Sequence, residues 1–169
     1  EIETTGPDGT VAVEQLSNKV VLDPTQPIPD ADISGDDIET TDEDTVASGV
    51  LAVSDSDASQ ESFVAQTDSN GAYGKFSIDA QGHWTYTPDA RADALADGAK
   101  VKDEFRVTSK DGTIHTVQVN IAGANDAPTV TAASQAATED TAHTFTAADF
   151  GFADVDTGGA LDHVTITAV

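Results

Sequence analysis

The chain has 169 residues, with 31 Asp and Glu against 7 Lys and Arg and a net charge of −24. That balance argues against nucleic acid and anionic membranes as partners, because phosphate would be repelled. Cys and Met are absent, which excludes disulfide stapling, thiol catalysis and Cys-ligated zinc. No apolar run reaches the roughly 20 residues of a membrane span. No signal peptide is visible either, and the chain opens at Glu1-Ile2-Glu3 as a piece of a longer polypeptide would. So acidic a chain repels itself when compact, and Ca²⁺, which prefers hard carboxylate and carbonyl oxygens, is the natural counter-charge. A merely solubilising acidic surface is the competing explanation.

In chain order, residues 1–38 read as the tail of a preceding module or a leader. Thr10–Val13 and Lys19–Leu22 are candidate strands, and Pro24, Pro27 and Pro29 break regular structure. Asp30, Asp32, Asp36 and Asp37 then form an acidic linker. Residues 39–124 read as one complete β-domain. Ala47, Gly49, Leu51 and Val53 alternate as in a strand with one buried face, and Ser62–Ala65 is a second candidate. Gly74–Thr87 is the clearest element, a hairpin turning at Ala80-Gln81-Gly82 with Phe76, Ile78, Trp84 and Tyr86 on one face. Arg91–Ala96 suits a single helical turn stopped at Gly98. A second hairpin buries Phe105, Val107, Val117, Val119 and Ile121 and turns at Lys110-Asp111-Gly112-Thr113. No long helical period appears, so the fold class is all-β, an antiparallel Ig/cadherin-like sandwich.

Asn125-Asp126-Ala127-Pro128 forms a hinge (125–128), and two acidic cassettes repeat around it. Glu43-Asp44-Thr45 returns as Glu139-Asp140-Thr141, and Asp55-Ser56-Asp57 as Asp154-Val155-Asp156, each about a hundred positions later. That period suits tandem sandwiches. Beyond the hinge, residues 129–169 start a second module with candidate strands at Thr129–Thr131 and Val164–Thr167. The segment is too short to close a sandwich of about 100 residues.

The cassette Glu43-Asp44-Thr45, the run Ala47–Asp57, Gly74–Asp79, Gly82–Tyr86, Phe105–Gly112 and the closing Asn125–Pro128 together resemble the VCBS repeat of giant bacterial surface and secreted proteins. The likeness covers about residues 39–128, and residues 129–169 resemble the start of a related cadherin-like repeat. The resemblance implies tandem arrays in RTX-type adhesins, type I secretion, an extracellular or cell-surface location, and roles in attachment and biofilm formation. By analogy with cadherins it also implies interdomain calcium. Glu43 and Asp44, Asn125 and Asp126, and Asp154 and Asp156 would then form one junction site. Asp55 and Asp57, with Asp30 and Asp32, would form the upstream one, and Glu139 would serve a downstream junction. In an extended Asp-x-Asp both carboxylates share a face and converge on one ion. The linker departs from the cadherin pattern at Gly123, where an Asp is expected. Turn capping is the competing role for all these acids.

Trp84 and Tyr86 read as core, leaving Tyr73 as the better exposed candidate for sugar stacking. His83, His115, His143 and His163 are scattered without metal spacing, and no nucleophile elbow is present. The chain therefore reads as a non-enzymatic structural or adhesive module whose partners are neighbouring repeats of the same polypeptide. A glycan- or receptor-binding module and an accessory domain of a secreted hydrolase are the alternatives.

Overall fold

The computed structural model describes residues 30–165 except 132 and 137, together with the strands at 2–5 and 11–14. The candidate strand at Lys19–Leu22 lies outside these residues. Strands β1 (Ile2–Thr5) and β2 (Val11–Glu14) form a separate antiparallel ladder.

Two sheets enclose the core. One runs β3-β5-β8-β7-β6, from β3 (Asp32–Gly35), β5 (Ala47–Ser54), β6 (Gln66–Asn70), β7 (Gly74–Ile78) and β8 (His83–Pro88). The other runs β4-β10-β9, from β4 (Ile38–Asp42), β9 (Lys100–Thr108) and β10 (Ile114–Ala122). β10 pairs with β9 antiparallel and with β4 in parallel. The chain changes sheets at Asp36-Asp37. There the Trp84 indole N–H donates to the Asp36 carbonyl (2.9 Å), and the Asp36 carboxylate accepts the Val50 N–H (3.0 Å).

The alternation read in the two hairpins sets the core. Leu51, Phe76, Ile78, Trp84 and Tyr86 face inward from the larger sheet, and Phe105, Val107, Val117, Val119 and Ile121 face them from the smaller. Phe76 and Phe105 stack across the interface with centroids 4.7 Å apart. A buried carboxylate ties the layers together: Asp103 accepts hydrogen bonds from the Tyr86 hydroxyl (2.8 Å) and from the N–H groups of Ala72 and Tyr73 (2.7 and 2.9 Å). Satisfying a buried charge with three donors removes most of the cost of desolvating it.

Several expectations change. β3 already belongs to the larger sheet, ahead of residue 39 where the sequence pattern starts the domain. It is short and mostly exposed, with Ile33 its one side chain packed against the core, too little for an apolar alternation to show. Phe63 makes only an isolated bridge to Ser109, so Ser62–Ala65 is not a strand, and the sheet is completed beyond β7 by the polar β6. Residues 90–94 form turns and not a helix, with Ala92 fully buried. Tyr73 is half-buried and packs against the core, which removes it as an exposed stacking platform. His115 sits at the core margin, paired with Asp37 at 3.1 Å.

Past the hinge, β11 (Thr129–Val130) pairs with β12 (Phe152–Ala153), with a 3-10 turn at Ala147–Phe150 between them. Val164 and Thr165 are not in a strand, and the rest of that candidate lies outside the described residues.

Candidate metal centre at the module junction

The sandwich carries an acidic cluster at each pole. Where β4 and β10 end, Glu43, Asp126 and Asp156 place carboxylate oxygens within 4.8 Å of one another. Glu43 follows β4 directly. Its N–H bonds the Ala122 carbonyl, and its Oε1 accepts the Ala124 N–H at 2.9 Å, so strand pairing itself holds the side chain inward. Glu43 is only 4% exposed. Asp126 in the hinge donates its N–H to Asp156 Oδ2 (2.9 Å), drawing the 154–156 loop onto the same point. The loop is pinned from the other side by Thr157, whose hydroxyl donates to the Ala94 carbonyl (2.6 Å).

Three buried oxygens in this cluster have no hydrogen-bond partner: Glu43 Oε2, Asp126 Oδ2 and Asp156 Oδ1. Unpaired buried carboxylate oxygens are costly. Burial pushes the Glu43 carboxyl above its usual range, reinforced by the charges of Asp126, Asp156 and Asp44. Asp126 is raised as well, by desolvation and then by Asp93, Asp44, Asp156 and Asp154. The arrangement stores like-charge repulsion that a hard cation would relieve, and its all-oxygen donor set suits Ca²⁺. Glu43, Asp126 and Asp156 would hold such an ion, with Asp44, Asp93 and Asp154 adding negative potential.

At the opposite pole, Asp30, Asp55 and Asp111 come together in the same way. Here most oxygens are in use. Asp111, in the β9–β10 turn, accepts the N–H groups of Asp30 (2.8 Å), Ala31 (3.0 Å) and Thr113 (2.9 Å), the Thr113 hydroxyl (2.8 Å) and the Ser109 hydroxyl. Despite the desolvation penalty, these donors hold its carboxyl far below the usual range. The unpaired buried carboxylate oxygen at this pole is Asp55 Oδ2.

The structure thus gathers Glu43, Asp126 and Asp156 at one pole and Asp30 and Asp55 at the other. It does not bring in the remaining candidates as direct neighbours. Neither Asp-x-Asp is extended: Asp55 Oδ1 accepts the Asp57 N–H (2.7 Å), and Asp154 Oδ1 accepts the Asp156 N–H (3.1 Å). Each Asp therefore caps its own turn, and only one carboxylate of each pair reaches its cluster. Asp57 is occupied by the Ser59 N–H and the Gln60 amide. Asp32 lies in β3, opposite Ser54. Asn125 is exposed and donates to the Asp126 carbonyl (2.9 Å). Asp44 and Asp154 act through charge, and Glu139 is exposed. Asp111 is the residue that the sequence reading missed, treating it as a turn. Asp93 was missed too. Gly123 is explained by contact, since a Cβ there would collide with the Ala96 carbonyl and the Leu95 side chain.

No curated protein matches the chain. Residues 29–123 match the family described as the bacterial cadherin-like domain, a span that begins before β3 and ends at the close of β10. With its two facing sheets and its acidic poles, the chain belongs to the bacterial cadherin-like domain family.

Proposed function

We propose that the chain is a spacer or adhesive repeat of a large secreted or cell-surface bacterial adhesin, stiffened by Ca²⁺ at its junctions. Within the bacterial cadherin-like family, the motifs of residues 39–128 favour a VCBS-type repeat. The observation that carries the calcium reading is Glu43. It is 4% exposed, with Oε2 unpaired, in a cluster where Asp126 Oδ2 and Asp156 Oδ1 are unpaired too. The ion would link the end of one sandwich (Glu43), the hinge (Asp126) and the following module (Asp156), cancel their repulsion and restrict the hinge. Neighbouring repeats of the same polypeptide are then the principal partners.

Thermal unfolding in excess Ca²⁺, in excess Mg²⁺ and in EDTA tests this, repeated on Asp126→Ala. An ion held only by the folded state stabilises it by about 2.7 kcal/mol at a hundredfold excess over Kd. A midpoint that rises with Ca²⁺ and loses that rise in the variant supports the reading. Equal midpoints in Ca²⁺ and EDTA would reduce these acids to turn caps and solvated charge.

A further inference from the structure

The sandwich and the segment beyond the hinge also meet at a second place, where the contact is made by uncharged groups. Residues 89–99 follow β8 as a chain of turns, in which the N–H groups of Ala92, Leu95 and Ala99 donate to the carbonyls of Asp89, Ala92 and Ala96. Ala92 is fully buried and Leu95 packs against the core, so the turns are rooted in the sandwich. Their far end is tied to the start of the hinge: the Gly98 N–H donates to the Gly123 carbonyl (3.0 Å), and the Gly123 N–H to the Ala99 carbonyl (2.9 Å). Between these anchors, the Ala94 carbonyl accepts both the Thr157 hydroxyl (2.6 Å) and the Thr157 N–H (3.2 Å).

The partner is a closed loop. Asp154 accepts the Asp156 N–H, the Gly159 N–H returns to the Asp156 carbonyl (3.1 Å), and Gly158 takes a φ of +95°, which leaves Thr157 at the tip. The adjoining Asp156 takes the Asp126 N–H, so the loop is held at two points by bonds that need no ion. The repeated cassette differs at this position. Asp154-Val155-Asp156 is followed by Thr157, but Asp55-Ser56-Asp57 is followed by Ala58, which has no hydroxyl to donate.

We infer that residues 89–99 are the docking surface for the first acidic loop of the following module, and that the Thr157 hydroxyl latches the loop there without metal. The partner this surface fits is an Asp-x-Asp-Thr loop; an Asp-x-Asp-Ala loop, as at residues 55–58, docks without the latch. Joints along an array then differ in stiffness before any cation binds. The inference rests on reading the chain as one repeat of an array, and not on the junction calcium. Thr157 is exposed, and water competes for its acceptor, so the latch shifts the balance between docked and free loop by about two- to tenfold.

The chain has no Cys, so spin labels on Thr116→Cys and Ser134→Cys, exposed positions on the two sides of the hinge, report the distance between the modules. Pulsed electron resonance in EDTA reads its distribution. Thr157→Ala, which copies the first cassette, should broaden the distribution by raising the undocked fraction at least about twofold. Thr157→Ser should keep it narrow. Thr129→Val is the control, because that hydroxyl donates to the Ala153 carbonyl within the following module (3.3 Å), and should leave the distribution unchanged. An unchanged distribution in Thr157→Ala would overturn the inference, as would equal broadening in Thr157→Ser or Thr129→Val. Every sample contains EDTA, so none of these outcomes depends on calcium, which the melting midpoints test separately.

Discussion

The Asp126 N–H donates to Asp156 Oδ2 at 2.9 Å, across 30 residues of chain, while Asp156 Oδ1 and Asp126 Oδ2 find no partner. One hydrogen bond thus brings the hinge to the following loop and leaves two acceptors turned toward Glu43. The hinge and the loop are held together while the charges around Asp126 repel one another.

Glu43→Gln separates these two properties. The amide oxygen can still accept the Ala124 N–H, so the local fold is kept, but a buried charge is removed from an acidic cluster. The midpoint in EDTA should hold or rise by a few degrees, as expected for about 1 kcal/mol or less in a domain of this size. The rise caused by Ca²⁺ should vanish. A lower midpoint in EDTA together with an undiminished Ca²⁺ response would count against the site.

The pH dependence follows from the same residue. The folded-state pKa of Glu43 is raised above its ordinary 4.5. Without metal, its contribution to stability is therefore full below the unfolded value and is lost as pH rises through the folded one. Cation binding needs the ionised form, so it runs the other way. The gap between the melting midpoints in Ca²⁺ and EDTA should close as pH falls from neutral through this raised range. A gap that stays constant down to the ordinary carboxylate range would show that Glu43 is not a ligand.

Asp111→Asn leaves at least one of several backbone and side-chain donors without a partner in a buried turn. The expected loss is about 1–3 kcal/mol, read by urea unfolding, with or without calcium. Limited proteolysis should show faster cleavage around Asp30-Ala31, whose N–H groups Asp111 accepts. Asp111 titrates oppositely to Glu43. Its depressed pKa gives stability present above the ordinary 3.8 and lost as pH falls through the folded value.

Asp57→Asn provides the contrast with Asp55. The Asp57 carboxylate is occupied by Ser59 and Gln60, so the variant should leave any calcium-dependent shift unchanged. Asp55→Asn should reduce an ion response belonging to the upstream pole. Equal effects of the two variants would restore the expectation that both carboxylates share one ion.

Trp84→Ala should cost about 3–5 kcal/mol, because the ring is 1% exposed, lies beside Phe76 at 5.8 Å and bonds the sheet-crossing Asp36. Trp84→Phe retains most of the apolar contact and loses that bond, and should cost clearly less. Denaturant midpoints would rank the three proteins.

The two hairpins were legible because strict alternation around large side chains such as Trp84 and Phe105 permits only one register. Glu43, Asp126 and Asp156 were legible through their repeated cassettes and the hinge motif. Asp111 was not. Its role lies with Asp30 and Ala31, 81 and 80 positions away, and an Asp-Gly turn looks the same whether or not a distant segment docks on it. That Asp57 and Asp154 stand outside the two clusters was not legible, because two residues cannot show whether an Asp-x-Asp stays extended or folds into a turn around its first carboxylate. β3 and β6 were missed for a related reason, since these short edge strands, with Ile33 their one apolar residue, bury too little to leave a pattern.

The parallel pairing of β4 with β10 also has a mechanical consequence. The chain enters beside Asp30 at one pole and leaves beside Glu43 at the other. Tension along a string of such modules would load β3 against β5 and, through β3, pull β4 toward the first pole and β10 toward the second, sliding β4 and β10 along their shared axis. The five paired positions from Ile38 to Asp42 would then carry the load together and would not open one after another. A tandem array of such modules would gain tensile strength from the order in which its strands are threaded.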